Sequence, residues 1–167
     1  IKELEDKFAN QNLILDGELY NHDMKANFEK IVSLVRQEEP DDDHKLIQYH
    51  VYDIVNTESF EVRYNYLKAI FSDYNSTYLK LVNTDIVKLE DDVMEFFDNY
   101  RALGYEGAML RNSNSIYENK RSYSLLKVKE FDDAEFKIVG IEEGRGKLAG
   151  HVGSFVCETS NGKRFLA

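Results

Sequence analysis

Residues 13–20 read "LILDGELY", an apolar run broken in its middle by Asp16, Gly17 and Glu18. Leu13, Ile14, Leu15, Leu19 and Tyr20 suit a strand in a packed sheet. Two acids inside such a strand cost desolvation energy unless something pairs with them. Asp16 and Glu18 are two apart, so in a regular strand they share a face. Two structures fit these letters: a sheet-edge turn with solvated acids, or a polar pocket floored by a sheet. Further short runs rich in β-branched and aromatic residues lie at 46–55, 106–111, 124–129, 134–142 and 153–158, and each predicts a strand.

Helical periodicity fills the intervals. "KANFEKIVSLVRQ" (25–37) predicts an amphipathic helix with Phe28, Ile31, Val32 and Val35 on one face. "ESFEVRYNYLKAIFSDY" (58–74) predicts a second, with Phe60, Tyr64, Leu67, Ile70 and Phe71 inward. "LEDDVMEFFDNYRALG" (89–104) places acids in a first helical turn and Gly104 at the end, as the helix dipole and a C-terminal cap favour. Strands and helices mix without strict alternation, which predicts an α+β fold. From about residue 130 helical patterns stop. "FVCETSNGKRFLA" there predicts a hairpin turning at Asn161-Gly162, the opening of a small β-barrel. The expected division is 1–130 and 131–167.

Composition narrows the function classes. The chain has 167 residues, 43% hydrophobic and 31% charged, with one cysteine and a formal net charge of −10. No run is long and apolar enough for a membrane span. A lone Cys157 excludes a disulfide framework within the chain and fits a small core residue in a reducing, cytoplasmic compartment. The acidic balance argues against a nonspecific nucleic-acid coat but permits a local basic groove. "RQEEPDDDH" (36–44) reads as a solvated loop, lacking the spaced ligands and turn glycine of a calcium loop.

Several predicted strands carry polar residues as the first does. "QYHVYDIV" (48–55) alternates, with His50, Tyr52 and Ile54 on one face and Tyr49, Val51, Asp53 and Val55 on the other. "YEGAMLR" (105–111) puts Glu106 at a strand start, and "SLLKVK" (124–129) puts Lys127 and Lys129 on one face. Two lysines on one strand face repel unless an anion lies between them, and phosphate is a natural one. A carboxylate such as Glu106 can hold Mg²⁺, which bridges to phosphate. A flat ring such as Tyr52 can stack on a base. The set describes a nucleotide site on a sheet.

In order, "LDGELY", "YHVYDIV", "EGAMLR" and "YENKRSYSLLKVK" resemble the collinear motifs of the covalent nucleotidyltransferases, and most of all the ATP-dependent DNA ligases of phage and viral type. "EFKIVGIEEGRGKLAGHVGSFVCETSNGKRF" is similar to the start of the oligonucleotide-binding (OB) barrel that follows their catalytic domain. The resemblance implies the C-terminal part of an ATP-grasp-like adenylation domain over 1–130, with mixed and antiparallel sheets and flanking helices, and the beginning of an OB fold over 131–167. It implies ATP as cofactor with a covalent AMP intermediate, Mg²⁺ or Mn²⁺, nicked double-stranded DNA as partner, and a monomer. It places Glu18 beside the ribose and the metal, with Asp16 supporting the strand, and Tyr52 on the adenine. Glu106 becomes a metal ligand. Lys127 and Lys129 contact the α-phosphate, Arg121 contacts phosphate or DNA, and Arg111 is a further nucleic-acid candidate.

The family's nucleophilic lysine sits in a Lys-x-Asp-Gly motif, which this sequence does not contain, and its last barrel motif is also missing. The expectation is a fragment truncated at both ends, inactive alone. Competing readings are an RNA ligase or mRNA capping guanylyltransferase with a similar pocket, a non-catalytic nucleotide- or nucleic-acid-binding module, and a plain α+β interaction domain.

Overall fold

The computed structural model describes residues 13–72, 74–131 and 133–167. The chain forms two compact units, 1–130 and 131–167. In the first, strands β1 (Leu15–Tyr20), β2 (Gln48–Ile54) and β3 (Leu79–Leu81) form one sheet in the order β1-β2-β3. The β1–β2 pair is antiparallel and β2–β3 is parallel. Strands β4 (Gly107–Arg111) and β5 (Leu125–Lys129) form a separate antiparallel pair. Among the described residues, three α-helices accompany them: α1 (Phe28–Val35), α2 (Phe60–Phe71) and α3 (Glu90–Ala102). In the second unit, β6 (Lys137–Glu143), β7 (Val152–Glu158) and β8 (Arg164–Leu166) form an antiparallel sheet in chain order.

The core of the first unit lies between the β1-β2-β3 sheet and α2. Val51, Ile54, Leu67 and Leu79 are buried together, with Leu15, Tyr49, Phe71, Tyr74 and Leu81 packed around them. Full burial of a side chain such as Leu67 stabilises by about 1.5–3 kcal/mol. The α2 stripe follows the spacing expected of it, since Phe60, Arg63, Tyr64 and Leu67 are its buried residues. Helix α3 starts where the acids predict: Asp92 Oδ2 accepts from the Leu89 amide at 3.1 Å and the Lys88 amide at 3.2 Å. It ends at Gly104, whose φ of 89° is the left-handed conformation that stops a helix.

Three expectations are corrected. Residues 22–27 are a 3₁₀ turn, not the start of the first helix, and Asn27 caps α1 by accepting from the Lys30 amide at 3.2 Å. The buried side chains of α1 are Ile31 and Leu34, whereas Phe28 and Val35 are exposed, because the short helix begins later and turns a different face inward. Ile54 lies in the core, not on the face of His50 and Tyr52. Strand β3 was not anticipated: its three residues are too few for an alternation to register. The second-unit hairpin turns at Asn161-Gly162, but only Gly162 has positive φ. The Gly162 amide donates to the Thr159 carbonyl at 2.9 Å, so a turn over 159–162 carries the glycine at its left-handed end. Cys157 is buried in β7. Among the described residues no helix is long and apolar enough to cross a membrane.

Candidate functional site

The "DGE" interruption is built around a bulge. Asp16 faces Asp53 and Gly17 faces Val51, so Tyr52 has no partner across the pair. A bulge of this kind re-aims the extra side chain and bends the strand. Gly17 is required where it stands: a Cβ there would sit 2.5 Å from the His50 carbonyl oxygen and 2.9 Å from the Tyr49 ring. The shift interrupts the simple alternation expected along β1. Glu18 faces His50 and is exposed. Asp16 is half-buried and accepts from the Tyr117 hydroxyl at 2.9 Å. Tyr52 is held beside it, and burial, the Asp16 and Glu18 charges and a hydrogen bond to Asp16 push its phenol up to about 12. The ring is thus a neutral, partly buried plate over a wide pH range, suited to stacking.

A second group stands on β4 and β5. Met109 faces Lys127 and Gly107 faces Lys129, which puts both lysines on one face. Gly107 must be glycine, since a Cβ would overlap the Val128 carbonyl oxygen across the pair. Lys127 Nζ donates to Glu106 Oε1 at 3.0 Å. The anion that relieves the lysine pair is therefore the Glu106 carboxylate. Its pKa is lowered first by the Lys127 hydrogen bond and charge, with Lys129 and Arg101 adding to the effect. Both partners are largely exposed, so an incoming phosphate can compete for the lysines. Among the described residues no cluster of three His, Cys, Asp or Glu side chains forms a metal cage. Mg²⁺ does not need one, because it is commonly held by one or two carboxylates plus substrate phosphate oxygens and keeps several waters. An exposed, ionised Glu106 fits that role, and exposed Glu18 offers the same donor chemistry. Burial first, and then the charges of Tyr105 and Glu18, raise the Tyr20 phenol above its ordinary range.

A third group was missed by sequence reasoning. Asp53 is fully buried and Arg63 is 1% exposed. Arg63 donates from Nε to Asp53 Oδ1 at 2.7 Å and from Nη2 to Oδ2 at 3.0 Å. Arg111 also donates to Asp53 Oδ2 and lies 4.5 Å from the Phe60 ring centroid. The structure places Arg111, the further nucleic-acid candidate, on the buried Asp53 carboxylate that Arg63 also shares. The signal was in the letters, because Arg63 occupies the i+3 position of the stripe Phe60, Tyr64, Leu67. Arg121 is exposed and makes no hydrogen bond or ion pair within the described residues. The acids of the 41–43 stretch are engaged in surface contacts, Asp42 with Lys45 and Asp43 with Lys30. A cavity of about 330 Å³ lined by Lys68, Phe71, Tyr74, Leu79 and Lys80 includes none of the candidate site residues.

Comparison with known proteins identifies the family. Residues 1–129 match the family model described as ATP dependent DNA ligase domain. A DNA ligase of Haemophilus influenzae is 30% identical, aligned over 89% of this chain and 55% of that protein. A DNA ligase of African swine fever virus is 31% identical, over 95% of this chain and 39% of that protein. This chain thus spans between about two fifths and just over half of those relatives. A solved structure from work on DNA binding by Lig E DNA ligases superposes with a TM-score of 0.78 at 28% identity, covering 91% of this chain and 60% of that one. A Chlorella virus DNA ligase-adenylate shares the fold at a TM-score of 0.58 and 19% identity. The chain belongs to the ATP-dependent DNA ligase domain family.

Proposed function

We propose that the protein carrying this chain is an ATP-dependent DNA ligase that seals nicks between a 5′-phosphate and a 3′-hydroxyl. The observation that carries the reading is the Glu106–Lys127 pair with Lys129 beside it, at the start of a strand pair within a matching ligase domain. Residues 1–130 act as the C-terminal part of the adenylation domain and 131–167 as the beginning of the OB barrel.

The reaction opens with attack of a lysine amine on the α-phosphate of ATP, forming a lysyl-AMP bond as pyrophosphate leaves. AMP then passes to the 5′-phosphate of the nick, and the adjacent 3′-hydroxyl displaces it. Tyr52 stacks on the adenine from its place on the bulge, and Glu18 stands on the ribose side. Lys127 moves from Glu106 to join Lys129 at the α-phosphate oxygens, where both stabilise the charge that develops. Their cationic field also favours the neutral form of the attacking lysine. Glu106 would be the carboxylate that holds Mg²⁺, and the ion would supply neutralisation of phosphate charge. Arg121 reaches the DNA backbone. The protein works as a monomer in the cytoplasm, or in the host cytoplasm if viral.

The test is the intact mass of the full-length natural protein after incubation with Mg²⁺ and either ATP or GTP. An AMP adduct, followed by sealing of nicked DNA, is expected. A GMP adduct would move the protein to the capping enzymes. AMP transfer with sealing of RNA alone would make it an RNA ligase, and no adduct would leave a binding module.

A further inference from the structure

Glu106 is approached by a cluster from an unrelated part of the chain. His22, in the 3₁₀ turn after β1, stacks on Tyr105 with ring centroids 4.2 Å apart and planes 26° from parallel. Tyr105 immediately precedes Glu106. His22 Nε2 lies 3.1 Å from the Leu103 carbonyl oxygen, and Nδ1 lies 3.2 Å from the Tyr20 hydroxyl. Lys25 Nζ lies 3.3 Å from the same Nε2, so two tautomers fit: Nε2–H donates to Leu103 while Nδ1 accepts from Tyr20, or Nδ1–H donates to Tyr20 while Nε2 accepts from Lys25. Lys25 Nζ donates to the same Leu103 carbonyl at 2.8 Å. That carbonyl is at the C-terminal end of α3, where a cation is favoured by the helix dipole and by unsatisfied oxygens. Lys25 lies against Gly104, where any Cβ would collide with its ammonium end. The glycine is needed for its φ of 89°, while the flexible lysine end could move aside for a Cβ.

Tyr105 is fixed from its other sides as well. Its amide donates to the Tyr100 carbonyl at 3.0 Å, and its own carbonyl accepts from Arg101 Nη1 at 3.2 Å. Its ring meets the Tyr100 ring edge-on with centroids 6.1 Å apart. Glu106, by contrast, is an exposed side chain whose position depends on the backbone that precedes it. Tyr20 and His22 both come from the β1 side of the unit, and His22 stacks on Tyr105, so it ties the end of "LILDGELY" to the start of "EGAMLR".

We propose that His22, with Lys25 capping beside it, is a positioning residue: by stacking on Tyr105 it aims the Glu106 carboxylate at Lys127 and Lys129. This rests on the reading of Glu106 as a catalytic carboxylate. The stack carries the effect and the hydrogen bonds anchor the imidazole. His22→Phe keeps a ring and loses the polar contacts. His22→Asn keeps a donor for Leu103 and loses the ring.

Two readouts test it in the full-length protein. The first is the yield of the zero-length carbodiimide cross-link between Glu106 and Lys127, read by peptide mass spectrometry without nucleotide or metal. The second is the Mg²⁺ dependence of AMP adduct formation. Misplacing a group that supports a metal ligand costs about 10–100-fold. His22→Ala and His22→Asn are therefore expected to lower the cross-link yield several-fold and to raise the Mg²⁺ needed for half-maximal adduct by about tenfold or more. His22→Phe is expected to restore most of both. Unchanged cross-linking and Mg²⁺ dependence in His22→Ala would overturn the proposal, and so would a loss of thermal stability with both readouts intact. Glu106→Ala is run beside them. Normal adduct formation in that variant would sink the catalytic reading of Glu106, while the cross-link yields would still decide whether His22 aims it.

Discussion

Removal of the Asp53 carboxylate is the most demanding perturbation of this fold. Asp53 accepts two bonds from Arg63, one from Arg111 and one from the Ile54 amide at 2.8 Å. In Asp53→Ala, Arg63 stays 1% exposed with Nε and Nη2 unpaired, while Nη1 keeps the Ser115 carbonyl at 3.0 Å. Breaking a buried pair from one side costs about 3–5 kcal/mol, against a net stability of about 5–15 kcal/mol for a typical domain. With a urea slope of about 2 kcal/mol/M, the unfolding midpoint should fall by about 1.5–2.5 M. The chain has eleven tyrosines and no tryptophan, so tyrosine fluorescence follows the transition. Lys30→Ala is the control, since its pair with Asp43 is exposed on both sides and screened by solvent. Replacing Asp53, Arg63 and Arg111 together by Leu, Met and Met should recover much of the loss, because no charge is left buried. A shift for Asp53→Ala no larger than that of the control would refute the reasoning, since it would mean that water reaches Arg63.

Three further outcomes follow from single contacts. Gly17→Ala and Gly107→Ala each place a methyl group against backbone oxygen across a strand pair, and each should destabilise by about 1–3 kcal/mol in the same urea assay; a neutral result would deny the close approach. In an alkaline titration followed by tyrosinate absorbance, Tyr52→Phe should remove one of the last phenols to ionise, since burial and neighbouring acids push Tyr52 up to about 12. Because this acid is raised in the folded state, its contribution to stability is complete below pH 10 and is lost as pH rises towards 12. Arg111→Met should leave the salt dependence of DNA binding unchanged, whereas a slope smaller by about 0.9 would return Arg111 to the phosphate contacts.

The sequence carried the strand positions because β-branched and aromatic runs are local signals. Five of the six runs expected as strands lie within two residues of observed ends at both termini, and β6 starts three residues late. Helix α3 was legible for the same reason, as its first-turn acids and Gly104 are capping chemistry written in place. The burial face of α1 was not, because eight residues allow several faces and tertiary packing chose Ile31 and Leu34. The strand placement of Lys127 and Lys129 followed from period two, but the anion between them did not. Glu106 lies 21 residues away, and only the pairing of Gly107 with Lys129 brings it there. The bulge at Tyr52 was hidden too, since register belongs to two strands and is read from neither alone. Arg63 was visible as a charge inside an apolar stripe and was passed over.

Asp53 and Arg111 connect these observations. Asp53 follows Tyr52 on β2, and Arg111 ends the strand that begins one residue after Glu106. Their ion pair, with Arg63 completing it from α2, binds the two sheets of the first unit where each carries a site group. Phe60 and Glu61 reinforce the joint, donating amide bonds to the Ser115 carbonyl at 2.9 Å and the Ser113 carbonyl at 3.0 Å. A net charge of −10 is compatible with a phosphate site on this arrangement. The cations that matter are placed locally, on β5, and the field near them is set by close neighbours more than by the chain total. The three letters that interrupt "LILDGELY" then have three separate causes. Asp16 is held by Tyr117 and in turn holds Tyr52, Gly17 makes room for the β2 backbone, and Glu18 is left exposed on the strand opposite His50.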